Sequence, residues 1–253
     1  MSIHSRPKKS FGQHFLHDRQ IIQKIITGIH PQRSDFMVEI GPGRGALTLP
    51  LLPHLDHLHA IELDRDLVPF LAAEGGDKLH ILQQDVLTVD FKALALSAGK
   101  KIRVVGNLPY NISTPILFHL LEYKEFISDM YFMLQKEVVE RICADPGSKT
   151  YGRLSVMIQV HCEANPLFTI LPGAFTPPPE VDSMLLCLKP YDPERFVMNN
   201  PQRFADIVKL AFQTRRKTLR NALKNITDLT VPEAFAHQRA EQLSVADFLT
   251  LSS

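Results

Sequence analysis

The sequence has few cysteines and no motif that pairs them. The 253-residue chain contains three, Cys143, Cys162 and Cys187, which stand far apart and form no Cys-x-x-Cys pair. An odd, scattered set of thiols argues against a disulfide framework or a zinc site, and it is typical of a reducing compartment. We therefore expect a cytoplasmic protein with free thiols and no bound metal.

Long apolar runs are also absent. The most apolar window, residues 46–55, is short and contains Pro50 and Pro53, so we expect no segment that spans a bilayer. The first nine residues include no apolar stretch of the kind that a secretory signal requires. The composition, 45% hydrophobic and 22% charged, is that of an ordinary globular protein.

The formal net charge is only +1, but the basic residues are unevenly distributed. Residues 1–24 and residues 203–224 are both strongly basic, and each segment holds a single acidic residue. Clustered cations favour a polyanionic partner, although two solvated helix faces would explain the charge equally well. The side chains that we predict to contact the phosphates of a nucleic acid are Lys8, Lys9, Arg215, Arg216, Lys217 and Arg220.

Seven apolar runs predict the strands of one sheet. The earlier runs are separated by segments long enough for crossover helices, which predicts a parallel sheet with helices on both faces. The last two are joined by a short irregular link and predict an antiparallel edge. The predicted strands are 36–40, 57–61, 79–83, 102–105, 129–134, 155–161 and 184–188.

The pattern changes after residue 190. From Gln202 onward, apolar residues recur at intervals of three and four, as on one face of a helix. We therefore divide the chain into residues 1–190, which hold the sheet and a basic N-terminal arm, and residues 191–253, a small all-helical domain that we expect to bind a nucleic acid.

A glycine-rich turn and two carboxylates predict a nucleoside site. Residues 39–45 read Glu-Ile-Gly-Pro-Gly-Arg-Gly, which differs from the Gly-x-Gly-x-x-Gly loop of dinucleotide sites, and Pro42 has no N–H to offer a phosphate. Glu62 and Asp85 end the next two predicted strands, where they can accept hydrogen bonds from a ribose and an adenine amino group. Because parallel strands end at one edge of a sheet, these residues should share one crevice with Gly41.

The fourth predicted strand leads into Asn107-Leu108-Pro109-Tyr110. The side-chain oxygen of Asn107 and the carbonyl of Leu108 can hold the two N–H groups of an exocyclic amine and so orient its lone pair. Pro109 has no N–H to compete for those carbonyls, and Tyr110 offers a flat face to a base. Taken alone, the segment is also consistent with a simple strand-to-helix turn.

Four motifs together resemble those of the rRNA adenine N6-dimethyltransferases, and the resemblance covers nearly the whole chain. They are FGQHFL at 11–16, EIGPGRG at 39–45, NLPYN at 107–111 and FTPPPEVDS at 175–183. The resemblance implies a Rossmann-like methyltransferase fold that uses S-adenosylmethionine. It also implies dimethylation of two adjacent adenosines, in a hairpin loop near the 3′ end of 16S rRNA, within an assembling small ribosomal subunit.

Carried over by position, the resemblance implies roles for individual residues. The expected S-adenosylmethionine contacts are His14, Leu16, Gly41, Glu62, Asp85 and Asn107. The expected catalytic set is Asn107, Leu108, Pro109, Tyr110 and Phe175, with the target adenine against Tyr110 and Phe175. Position 14 is often asparagine in this family; a histidine can still donate a hydrogen bond, but its contact should weaken at low pH.

Other functions compete with this interpretation. A nicotinamide-dependent oxidoreductase would also use a glycine turn, but Pro42 and the glycine spacing count against it. A non-catalytic ribosome-assembly factor would need the basic surfaces but not Asn107 and Glu62. The related antibiotic-resistance enzymes that act on large-subunit rRNA are the nearest rivals. We expect a monomer.

Overall fold

A computed structural model describes residues 13–214, 216–226 and 229–253. The chain forms two compact units. The first holds the described residues up to Lys136 together with Asn165–Pro190, and the second holds Glu137–Ala164 and Tyr191–Ser253. Among the described residues, no helix has the length and apolar character needed to cross a membrane.

The elements follow one another in an order that alternates strands and helices as far as residue 135. They are β1 (Phe15–Leu16), α1 (Arg19–Ile29), β2 (Phe36–Ile40), α2 (Thr48–Leu51), β3 (Leu58–Ile61), α3 (Val68–Gly75), β4 (Leu79–Leu82), α4 (Phe91–Ala98), β5 (Ile102–Asn107), α5 (Ser113–Glu122), β6 (Ile127–Gln135), α6 (Lys136–Ile142), α7 (Arg153–Gln159), β7 (Cys162–Ile170), β8 (Phe175–Thr176), β9 (Ser183–Pro190), α8 (Pro201–Gln213), α9 (Leu219–Ala222), α10 (Glu233–Ala236) and α11 (Val245–Ser252).

The predicted seven-stranded sheet is confirmed. Its strand order is β4-β3-β2-β5-β6-β9-β7. The pairs from β4 through β6 are parallel, whereas β9 runs antiparallel to β6. The short strands β1 and β8 form a separate antiparallel pair. The parallel half of the sheet therefore presents the carboxyl ends of β2, β3, β4 and β5 at one edge.

The predicted strand at 155–161 is wrong. Residues 153–159 form α7, and the strand is β7, which lies within the segment predicted as an irregular link. A short apolar run does not distinguish a buried helix turn from a strand. Ser155 supports the helix, because its hydroxyl accepts from the Gly152 N–H at 3.0 Å and donates to the Arg141 carbonyl at 2.5 Å.

The division into units also differs from the predicted one. The boundary after residue 190 agrees with the structure, but residues 137–164, assigned from the sequence to the catalytic domain, belong to the second unit. The reason is packing: Tyr151, Val156 and Val160 lie in the same apolar cluster as Phe204 and Ile207 of α8. Apolar side chains that share a core are buried together, whatever their distance in sequence.

Close contact between β2 and β5 positions the site. A Cβ atom at Gly106 would lie 2.6 Å from the carbonyl oxygen of Ile40, which no other residue type could accommodate without moving a strand. Glycine at this position therefore lets the ends of the two strands approach each other. As a result Gly41, which follows β2, and Asn107, which ends β5, lie side by side.

Candidate active site at the carboxyl edge of the sheet

A cavity of about 300 Å³ lies at the carboxyl edge of the parallel strands. The structure brings together there every residue that the sequence predicts to contact the cofactor: His14, Leu16, Gly41, Glu62, Asp85 and Asn107. Leu108, Pro109 and Tyr110 of the predicted catalytic set also line it. Phe175 does not. The volume is at the lower end of the range found for small-molecule sites.

The glycine turn takes a backbone path that other residues rarely adopt. Gly41, Gly43 and Gly45 have φ values of 66°, 57° and 77°, all in the left-handed region. A side chain at Gly43 would in addition press on the ring of Phe15, at 3.2 Å. The turn consequently brings backbone to the cavity wall, beside Pro42 and Arg44.

Glu62 follows β3 directly and is held by the same turn. Its Oε2 accepts from the Gly43 N–H at 3.1 Å and its Oε1 accepts from the Asp64 N–H at 2.8 Å. The side chain is only 6% exposed. Burial raises the pKa of Glu62, and hydrogen bonds from the backbone N–H groups of Asp64, Gly43 and Leu63 oppose that rise. The carboxylate is thus oriented by backbone groups.

Asp85 lies three residues beyond β4, in a turn and not at the strand end. Its Oδ1 accepts from the Leu87 N–H at 3.0 Å, which fixes the side chain at the cavity edge. Two apolar side chains that sequence reasoning missed lie on the same wall: Leu63, 51% exposed, and Leu87, 37% exposed. Exposed leucines beside a carboxylate form a surface suited to a flat base with a polar edge.

Glu39, which sequence reasoning also missed, lines the cavity beneath the glycine turn. It is 2% exposed and accepts a hydrogen bond from the Thr48 hydroxyl at 2.6 Å. Burial, and to a smaller extent the neighbouring charge of Glu62, raises the pKa of Glu39 to about 8. Its position directly before the glycine turn was the signal that could have identified it.

Asn107 ends β5 beside Met133 of β6. Its Nδ2 donates to the carbonyl oxygen of His14 at 2.9 Å, which fixes the amide so that Oδ1 is the atom left to accept. The Leu108 N–H donates to the Met133 carbonyl at 3.3 Å, and Leu108 is 1% exposed. The segment is therefore anchored to the centre of the sheet.

Tyr110 and His14 stack on each other. Their ring centroids are 5.6 Å apart and their planes are inclined by 25°. The Tyr110 hydroxyl shares a hydrogen bond of 2.6 Å with the Ser183 hydroxyl, and burial raises the pKa of Tyr110. The imidazole Nδ1 of His14 lies 2.8 Å from the Pro177 carbonyl oxygen, so this nitrogen carries the proton and donates.

Phe175, which is predicted to offer a stacking face to the target adenine, does not line the cavity. The residue is 2% exposed and packs in the core of the first unit. Its strand β8 pairs with β1, where Phe175 lies opposite Leu16. Contact between Phe175 and the target base stays a prediction.

Half of the basic residues predicted to contact RNA lie outside the described residues: Lys8, Lys9 and Arg215. Arg216 and Lys217 are exposed. They lie between α8 and α9, outside both helices. Arg220 lies on α9 and pairs with Glu233 at 2.5 Å, with 54% of its side chain exposed. Contact with phosphates stays a prediction for all six.

The three cysteines are free thiols. His57 and His80 have rings 5.2 Å apart, but the part of the chain that the structure describes contains no group of three or more histidines, cysteines or carboxylates able to hold a metal ion.

Comparisons with known proteins agree on one family. Residues 4–253 match the family model described as ribosomal RNA adenine dimethylase. The chain is 54% identical to the ribosomal RNA small subunit methyltransferase A of Xylella fastidiosa (strain Temecula1), over 97% of this chain and 95% of that protein. It is 53% identical to the protein of the same name from Nitrosococcus oceani, over 98% and 95%.

Two solved structures share the fold over most of the chain. A dimethyladenosine transferase from Plasmodium falciparum superposes with a TM-score of 0.79 at 26% identity, covering 94% of this chain and 96% of that one. The 23S rRNA methyltransferase ErmE superposes with a TM-score of 0.70 at 22% identity, covering 94% and 100%, a likeness that extends to the fold alone.

Proposed function

Because the chain belongs to the ribosomal RNA adenine dimethylase family, we propose that it dimethylates the N6 atoms of adenosines in small-subunit rRNA, using S-adenosylmethionine. The proposed targets are two adjacent adenosines in a hairpin loop near the 3′ end of 16S rRNA. The proposed substrate is the assembling small subunit in the cytoplasm, and the enzyme acts as a monomer. Relatives above 50% identity whose name specifies the small subunit support this choice over large-subunit rRNA.

The residues of the cavity fit S-adenosylmethionine. The positive-φ glycines bring backbone close to a ligand, and the oriented Glu62 carboxylate suits a ribose with two hydroxyls. Glu62 and Asp64 line the same cavity and are each nearly fully buried. Two neighbouring carboxyl groups of this kind favour a ligand that carries positive charge. When bound, the cofactor supplies an electrophilic methyl group on a sulfonium.

The residues of this chain position the adenine amine for methyl transfer. Asn107 Oδ1 and the Leu108 carbonyl accept its N–H groups, which turns the nitrogen lone pair toward the methyl donor. Tyr110 holds the base by stacking, a contact worth about 1–3 kcal/mol. The thioether leaves uncharged, and the newly methylated nitrogen carries a positive charge and an acidic proton that passes to water, so no strong general base is required. The observation that carries the proposal is that Asn107 Oδ1, Leu108 and Tyr110 border the cavity that also contains Glu62.

Methyl transfer to defined rRNA substrates tests the proposal. Small subunits from a strain that lacks the gene would be incubated with the purified protein and labelled S-adenosylmethionine, and nucleosides would be identified by mass spectrometry. We expect N6,N6-dimethyladenosine in 16S rRNA, and none with an Asn107→Ala variant. Dimethyladenosine found only in 23S rRNA would move the activity to the large subunit. RNA binding without any transfer would leave an assembly factor as the function.

A further inference from the structure

The ring of Tyr110 is held at two points by residues distant in sequence. Its hydroxyl meets the Ser183 hydroxyl at 2.6 Å, across 73 positions of the chain. The imidazole of His14 covers one face of the ring at 5.6 Å between centroids. Ser183 is 1% exposed, so water does not compete for its hydrogen bond.

Each of these two neighbours is itself fixed. Ser183 begins β9 and lies opposite Gln135 of β6, within the antiparallel pair. The ring of His14 donates to the Pro177 carbonyl at 2.8 Å, and its backbone carbonyl accepts from Asn107 at 2.9 Å. The hydroxyl of Tyr110 is therefore hydrogen-bonded to a strand of the sheet, and one face of its ring packs against His14. The backbone carbonyl of His14 is also hydrogen-bonded to the side-chain amide of Asn107, which we propose holds the target amine.

We propose that Ser183 and His14 are positioning residues for methyl transfer, which hold Tyr110 so that only the ring face opposite His14 receives the target adenine. This inference rests on the proposed function. Because the Tyr110 ring is already fixed before substrate binds, no conformational entropy is lost in ordering it during the reaction. The fixed ring also keeps the base at a set distance from Asn107. A free ring would let the base stack in orientations that turn its amine away from Asn107.

A double-mutant cycle separates positioning from a merely structural role. Ser183→Ala and Tyr110→Phe each remove one side of the same hydrogen bond, so each should lower the single-turnover rate by about fivefold, the factor that one neutral hydrogen bond contributes. Because they break the same contact, the double variant should be no slower than either single variant. Single effects that multiply in the double variant would overturn the assignment of Ser183.

The stacking contact has its own pair of variants. His14→Phe keeps a ring against Tyr110 and loses the Pro177 hydrogen bond, whereas His14→Ala loses both. We expect both variants to slow single-turnover transfer at saturating S-adenosylmethionine, and His14→Ala to be about fivefold slower than His14→Phe, as for one lost packing contact. Equal losses in the two variants would overturn the role assigned to the ring.

A matched control and a spectroscopic readout complete the test. Ser128→Ala removes another side-chain hydrogen bond of the same sheet, to the Ile102 carbonyl at 3.1 Å, and should lower the melting temperature without changing the rate. Fluorine NMR of protein labelled with 3-fluorotyrosine gives one signal for each of the five tyrosines. Ser183→Ala should shift or narrow the Tyr110 signal, and Ser128→Ala should not. An unchanged Tyr110 signal would overturn the proposal.

A failure of the proposed function and a failure of the positioning role give different results. A wild-type protein that transfers no methyl group to any rRNA refutes the proposed function. An active wild-type protein whose Ser183→Ala and Tyr110→Phe effects multiply refutes the positioning role alone.

Discussion

Substitution of Glu39 by glutamine should change how stability depends on pH. Glu39 is buried and has a pKa of about 8, against 4.5 for an ordinary glutamate. Between these values the folded protein holds a proton on Glu39 that the unfolded chain has released. The contribution to stability is therefore fully present below pH 4.5 and is lost as the pH rises toward about 8. Glutamine keeps an oxygen for Thr48 and cannot ionise.

The size of the effect follows from the displacement of the pKa. Between pH 4.5 and about 8, one more proton is bound in the folded state than in the unfolded state. Each pH unit in this interval therefore lowers the free energy of unfolding by about 1.4 kcal/mol. From pH 5 to pH 7.5, wild-type protein should lose roughly 3 kcal/mol relative to Glu39→Gln. Ionisation of other groups is common to both proteins and cancels in the difference.

Urea unfolding measures this difference directly. The chain contains no tryptophan, so far-ultraviolet circular dichroism is the suitable signal. Wild type and Glu39→Gln would be compared at intervals from pH 5 to pH 9, with Thr48→Val as the matched control. The hydrogen bond from Thr48 lowers the pKa of Glu39. Its loss in Thr48→Val should therefore raise that pKa and extend the pH-dependent loss of stability to higher pH. A difference between wild type and Glu39→Gln that is constant over this range would refute the reasoning.

Three further predictions concern ligands. Glu62→Ala should abolish most S-adenosylmethionine binding in isothermal titration, since each charge-assisted hydrogen bond is worth about 1.5–3 kcal/mol; unchanged affinity would remove Glu62 from the ribose site. Asn107→Ala should slow methyl transfer on the order of a hundredfold while the protein still binds rRNA; near-normal turnover would exclude it as the amine acceptor. Arg216→Ala combined with Lys217→Ala should reduce the log-log salt slope of rRNA binding by about one unit per lost phosphate contact. Arg220→Ala should reduce it less, because Glu233 already neutralises that guanidinium; equal slopes in all proteins would place the RNA elsewhere.

The sequence by itself determined the parallel sheet and the place of the cavity. Strand periodicity and the polar residues that follow each strand are local properties, and parallel strands end at one edge of a sheet by geometry alone. That is why Gly41, Glu62 and Asn107, spread over 67 positions, could be assigned to one crevice before any coordinates.

Only the tertiary structure decided which apolar segments share a core. Residues 153–159 became a helix and joined the second unit because their apolar side chains meet those of α8, a contact that no local pattern encodes. The motif around Phe175 predicts that this residue contacts the substrate. In the structure β8 pairs with β1, and Phe175 is buried in the core. The high pKa of Glu39 and the bond between Tyr110 and Ser183 have the same origin. The burial of Glu39 and the contact between Tyr110 and Ser183, which are 73 positions apart, both depend on how the elements pack. The sequence of a single segment does not specify that packing.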